Sequence, residues 1–331
     1  MKKYIFSSLS IILLISIVLA CSKDRSILLP KDLQTPAEEA KPVEKTIKDY
    51  TFNTVDTQKI FDKLASKSET KTIKSASDLP FIAKNGTKIW IEANDLYLPN
   101  GNKITYPFDL EILELLTPKD MILHQKPTVS YGQLLTTGGE LYIKATKNNQ
   151  ELSTRFFNNI SIEMPSNNVV QGMSLFNGTV SNTGFVEWQI ERESPRQGTP
   201  NVFVEKDSVG QKQKNYVIFP TQIGWINCDK FSQFQGTKTK IKFASAYPEL
   251  KEIKTFLFFP DLKSVMQVYG ETSGDIPVGQ LVKIISIAVT KEEQIFLFTK
   301  DINVIENQVV SIELRLTTQR ELDDYLQKLS F

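Results

Sequence analysis

The run Ile104-Thr105-Tyr106-Pro107-Phe108-Asp109-Leu110-Glu111-Ile112-Leu113-Glu114-Leu115-Leu116 sets the fold class of this chain. Phe108, Leu110 and Ile112 alternate with Asp109 and Glu111, and Leu113 and Leu115 continue the pattern less cleanly. A period of two sends one row of side chains to a core and the other to water, which is the signature of a strand. Upstream, Lys88 to Ala93 alternates around Ile89 and Ile91, and Asn100-Gly101 is a tight-turn dipeptide. Downstream, Thr128 to Leu135, Glu140 to Thr146 and Glu151 to Met164 read as further strands, with Gly138-Gly139 and Asn148-Asn149 breaking them at hairpin positions. Turn signals about every 8 to 15 residues, with no helical period between them, predict an antiparallel sandwich of about 100 residues.

Ser166-Asn167-Asn168 and Gly172 read as a boundary. Strand-like runs resume at Met173 to Val180 and Phe185 to Ile190. The polar stretch from Glu191 to Asn215 then reads as a mobile insertion or an extended hairpin. Further runs occupy Tyr216 to Phe219, Gly224 to Cys228, Lys240 to Ser245, Thr255 to Phe259, Val265 to Tyr269, Leu281 to Val289, Gln294 to Phe298 and Gln308 to Leu316. Several are apolar nearly throughout, as strands covered on both faces should be. Two helices frame these strands. Ile60, Phe61 and Leu64 have helical spacing within Asp56 to Lys67, with Asp56 or Thr57 as N-cap and the first sheet as expected partner. Leu322, Tyr325, Leu326 and Leu329 repeat at i, i+3, i+4, i+7 behind a Thr318/Glu321 capping box.

Length and charge narrow the function classes. At 331 residues two domains of ordinary size are expected. Cleavage before Cys21 would take Lys2 and Lys3 away and change the formal charge from +1 to −1, so no charge-driven nucleic-acid surface is expected. The single histidine, His124, rules out histidine-rich zinc sites and HExxH helices. No Walker A loop, dinucleotide-binding glycine motif, EF-hand or paired Cys-x-x-Cys occurs. No catalytic residue, metal ligand or cofactor is assigned.

The first twenty-one residues give an address. Lys2 and Lys3 precede an apolar core running from Ile11 to Ala20 that is too short to span a bilayer comfortably, and Cys21 follows. Val18-Leu19-Ala20-Cys21 resembles the lipobox of bacterial lipoproteins, which implies diacylation of the Cys21 thiol and cleavage before it. Ser22 to Tyr50 has Pro30, Pro36 and Pro42 among charged residues and too little apolar mass to order a backbone. It reads as a disordered tether with a reach of about 30 Å.

Gly86-Thr87-Lys88-Ile89-Trp90-Ile91, Asn100-Gly101, Lys126-Pro127-Thr128-Val129-Ser130, Gly138-Gly139 and Phe157-Asn158-Asn159-Ile160-Ser161-Ile162-Glu163-Met164-Pro165 resemble the ZU5-type β-sandwich of envelope lipoproteins of Bacteroidetes. Some relatives in the wider ZU5 family adjoin a domain that cuts its own chain at His-Phe-Ser. Here Gln125 follows His124, so that activity is not implied. Gly224 to Phe231 resembles a stretch recurrent in the same lipoproteins, with no activity attached. Asp207-Ser208-Val209 is similar to the O-glycosylation site of exported proteins from that group, which makes Ser208 a candidate modification site.

The remaining chemistry is weighed against packing. Cys228 beside Asp229 lacks a base other than His124 and reads as a buried thiol. A Ser-His-Asp arrangement on His124 stays open, although no Gly-x-Ser-x-Gly elbow occurs. Trp90, Trp188 and Trp225 sit inside alternating strands and read as core, with Trp188 the candidate ligand platform because it adjoins the polar insertion.

The expected molecule is mainly β: two β-sandwich-like domains with a short N-terminal helix and a C-terminal amphipathic helix. Its parts are a signal peptide (1–20), the lipidated Cys21 with its tether (21–50), a helix plus ZU5-like sandwich (51–165) and a second β domain ending in a helix (172–331). The expected role is a non-catalytic envelope lipoprotein at the outer membrane, held by lipid on Cys21 and acting as a binding or assembly module toward protein or glycan. The alternative is an envelope hydrolase acting on glycan or peptide through an unidentified carboxylate site.

Overall fold

In a computed structural model of the chain, which describes residues 45–166, 168–182, 184–196, 199–206, 213–234 and 236–331, the alternating run becomes the strand Phe108–Leu115. Among the strands of the large sheets it is the fourth, after β1 (Glu69–Ile73), β2 (Phe81–Ile82) and β3 (Lys88–Trp90). After β4 come β5 (Gln133–Lys147), β6 (Ser161–Pro165), β7 (Ser174–Val180), β8 (Val186–Ile190), β9 (Val202–Lys206), β10 (Gln213–Ile218) and β11 (Gly224–Phe231). A third group is β12 (Lys254–Phe259), β13 (Ser264–Val268), β14 (Leu281–Val289), β15 (Ile295–Asn303) and β16 (Arg315–Thr317).

The first sheet has the strand order β1-β4-β5-β11-β7-β8 and the second β9-β10-β6-β3-β2. Leu110, Ile112, Leu141, Ile143, Leu175 and Ile226 on the first share one core with Ile89, Ile162, Tyr216 and Ile218 on the second. The third sheet, β13-β12-β14-β15-β16, is apolar on both faces. Leu257, Phe259, Val282 and Ile284 pack with Ile241, Phe243 and Ile312 on one side. Phe256, Phe258, Ile285 and Ile287 pack on the other with three helices and with Leu113, Leu115, Tyr142 and Trp225 from the outer face of the first sheet. The continuous apolar runs therefore bury both faces, as their composition predicted.

The molecule is mainly β with antiparallel sheets, as expected, but strand pairing crosses the expected division between 165 and 172. β5 pairs with β11 from Gly224↔Ile143 to Phe231↔Leu135, and β6 pairs with β10. Residues 45–331 form one compact unit. Ser166 to Gly172 is a connection from one sheet of the sandwich to the other, and polar composition alone does not distinguish such a crossover from a linker. The stretch from Glu191 to Asn215 likewise contributes a hairpin, β9 with β10, to the second sheet.

Gly138-Gly139 does not end a strand. β5 runs through it, with Asn227↔Glu140 on one side of an irregularity and Asp229↔Thr137 on the other. Two residues of β5 thus oppose Cys228, the geometry of a β-bulge. Only glycine fits: a Cβ on Gly138 would lie 2.8 Å from the Tyr216 ring and 2.9 Å from the Cys228 carbonyl oxygen.

Helix α1 (Thr54–Leu64) is capped by Asn53, whose side chain accepts from the Asp56 N–H at 2.9 Å, rather than by Asp56 or Thr57. Its buried Ile60 and Phe61 pack against the third sheet through Phe256 and Ile285, not chiefly against the first. Burial of each such side chain contributes about 1.5–3 kcal/mol. Helix α2 (Pro118–Leu123), unforeseen because it is short, carries a Thr117/Asp120 capping box and a proline in its first turn. Helix α3 (Gln319–Gln327) starts at Thr318 with the expected capping box. The end of the expected tether is ordered: Ile47–Asp49 forms a turn of 3-10 helix, the Tyr50 ring meets Phe296 at 5.1 Å, and the Tyr247 hydroxyl donates to the Tyr50 carbonyl.

Candidate functional site

Cys21 and Ser208 lie outside the described residues. Trp188 does not form a ligand platform, because it is fully buried, with Nε1 donating to the Pro127 carbonyl at 2.9 Å. β8 alternates so that Val186 and Trp188 enter a small core with Phe176 and Leu135, while Phe185 and Glu187 face outward. The surface that the sequence assigned to Trp188 belongs to its neighbours.

Those neighbours form an aromatic patch around one carboxylate. Val129–Ser130 and β5 are joined by the two-residue turn Tyr131-Gly132, both at positive φ (45° and 77°). This suits a tight hairpin and holds the Tyr131 ring out into solvent. The Tyr131 N–H donates to a Glu187 oxygen at 2.9 Å. Phe185 meets the Tyr269 ring edge-on at 4.2 Å between centroids. Burial of its hydroxyl, and the Glu187 carboxylate beside it, push the Tyr269 pKa up. Tyr131, Phe185 and Tyr269 are 67%, 40% and 55% exposed, so ring faces and an acceptor stand open together.

The ionisable groups are arranged differently. His124 closes α2, and its Nε2 lies 3.1 Å from the Ser66 carbonyl oxygen and 3.2 Å from Ser66 Oγ. A carbonyl only accepts, so the bonding assigns the proton to Nε2. Ser66 Oγ in turn donates to Asp120 Oδ1 at 3.1 Å, while Asp120 Oδ2 caps α2 through Thr117. In a hydrolytic triad the imidazole accepts from serine and the carboxylate holds the other ring nitrogen. Here the imidazole donates and the carboxylate holds the serine, so these three residues brace α1 against α2. Burial lowers the His124 pKa, against the opposing pull of Asp120.

Glu140, Asn227 and Asp229 are fully buried on the outer face of the first sheet, beneath the third sheet and α2. The bulge places Thr137 on the same face as Glu140. Asn227 Nδ2 donates to Asp229 Oδ2 at 2.7 Å. Burial raises the Asp229 pKa to about 8, with the Thr137 hydroxyl and the Gly138 and Asn227 N–H groups pulling it down. Burial, then Asp229, raises Glu140, and Lys126 opposes that shift. A groove of about 890 Å³ has Thr137 and Gly138 in its lining and Lys119, Asp120 and Glu114 along its walls. Glu140 and Asp229 are not in that lining. Cys228, on the opposite face of β11, is buried in the sandwich core, and burial raises its pKa well above that of a free thiol.

No protein family, curated protein or solved structure matches this chain. Among the described residues no helix is long and apolar enough to cross a membrane.

Proposed function

We propose that this chain is a non-catalytic lipoprotein of the cell envelope, anchored at the outer membrane through lipid on Cys21, that binds glycan through Tyr131, Phe185, Glu187 and Tyr269. The anchor rests on the charged start, the short apolar core and Ala20-Cys21. The binding reading rests on one contrast: the groups able to do proton or nucleophilic chemistry are sealed or tied in structural bonds, whereas three aromatic side chains stand open around a carboxylate. Flat aromatic faces suit the apolar faces of sugar rings, and a carboxylate suits their hydroxyl groups. The same contrast disfavours the hydrolase, whose shifted carboxyls would have to converge in an open pocket.

Affinity electrophoresis of the mature chain against envelope polysaccharide and peptidoglycan fragments tests this reading. Tyr131→Ser with Phe185→Ser and Tyr269→Ser should weaken retardation at least tenfold and keep a single cooperative unfolding transition, since all three rings are more than a third exposed and none belongs to a main core. Unchanged retardation, or retention only of envelope proteins, would overturn the glycan assignment. Glycan cleavage by the native chain would overturn the non-catalytic one.

A further inference from the structure

We infer that Glu140, Asn227 and Asp229 bind a hard divalent cation of the calcium class inside the layer between the first and third sheets. Four oxygens carry this inference: Glu140 Oε1 and Oε2, Asn227 Oδ1 and Asp229 Oδ1 are buried, and none has a hydrogen-bond partner among the described residues. Register brings them together. Asn227 stands directly across from Glu140, and its amide nitrogen bonds Asp229 Oδ2, which leaves its buried oxygen without a donor on the same face of the sheet. A single buried oxygen without a donor is costly, by about 1–3 kcal/mol, and four on one face call for one electropositive occupant.

The local cation does not fill that role. Lys126 lies close enough to influence Glu140, yet its Nζ stands 5.0 Å from the Trp225 ring centre and does not bond the Glu140 oxygens. Two carboxylates and an amide oxygen are the ligand types that hard cations take, with a bidentate Glu140 completing four positions. The three side chains offer oxygen ligands and neither imidazole nor thiolate, which disfavours zinc and other softer metals. A buried, largely dehydrated site favours calcium over magnesium, which parts reluctantly with its water. The groove lined by Thr137 and Gly138 offers the entry path, since both residues lie against Asp229.

The test is native mass spectrometry of the mature chain in detergent after dialysis against EDTA, with calcium chloride or magnesium chloride added alone. One calcium per chain is expected, at least tenfold more tightly held than magnesium, with a melting temperature that rises with calcium. Terbium, as a calcium probe, should show luminescence sensitised by Trp225. Glu140→Gln should keep the fold and abolish both responses. Should that variant misfold, Asn227→Ala reports the same loss through an uncharged ligand. Wild-type protein that takes up no calcium at millimolar concentration, or variants that bind it as well as wild type, would overturn the site. Glycan retardation is a separate measurement, so failure here leaves the binding reading intact.

Discussion

His124 shows how one side chain is fixed by donors and acceptors rather than by residue type. Its Nε2 donates to Ser66, and burial holds its pKa below the ordinary value of 6.5. Asp120, Lys126 and Lys67 are the charged groups that act on it, the carboxylate raising and the two ammonium groups lowering its pKa. In the unfolded chain the imidazole takes a proton more readily than in the folded one. Its contribution to stability is therefore complete above about pH 6.5 and is lost as pH falls from there toward the lower folded value. Urea unfolding at about pH 7 and about pH 5.5 should show a loss that His124→Gln reduces. An equal loss in the variant would place the effect elsewhere, and a single imidazole resonance titrating above the ordinary value would contradict the burial argument.

At the scale of elements, a local signal fixed the start of α3, whereas the cap of α1 and its partner sheet were not fixed by local signals. Thr318 Oγ1 accepts from the Glu321 N–H at 3.1 Å, and Glu321 reaches back to the Thr318 N–H at 2.9 Å. These bonds hold the Glu321 carboxyl below its ordinary pKa. Behind the cap, Leu322 and Leu326 are fully buried against the third sheet. Thr318→Ala should cost about 1 kcal/mol, the usual loss for an N-cap, in chemical denaturation. A loss near zero would mean that packing of Leu322 and Leu326 alone positions α3. Because the folded pKa of Glu321 is lowered, its share of this stability is present above about pH 4.5 and fades as pH falls through the folded value.

For the whole molecule, the order β1-β4-β5-β11-β7-β8 makes the sandwich depend on strands more than 70 residues apart in the chain. β5 and β11 are its central pair, so a chain ending at 165 would expose the β5 edge and half of the inter-sheet core. Expressed alone, residues 51–165 should be insoluble or lack a cooperative unfolding transition, whereas 45–331 should unfold as one unit. A soluble 51–165 fragment with a sharp transition would restore an independent first domain. The same topology makes Ser166 to Gly172 a poor site for separating two stable halves by proteolysis.

Residue order by itself determined the strand-rich class, the C-terminal helix with its cap, the two-faced burial of the Thr255 to Phe259 and Leu281 to Val289 runs, and the burial of Cys228. Each follows from a period or a composition that acts over a few residues. What only the tertiary structure decided involves faces that periodicity labels polar. Glu140, Asn227 and Asp229 lie on the outward side of their strands, and alternation treats that side as facing water. A third sheet and α2 cover it here. The bulge at Gly138-Gly139 also reverses the alternation within β5, so Thr137 and Glu140 share a face although they are three residues apart. Trp188 is core, as its strand alternation indicated, and the open surface beside it belongs to Phe185 and Glu187, on which the sequence placed no site, for a related reason. An edge strand presents one face to a core and one to solvent, and which face is which depends on what the rest of the chain lays against it.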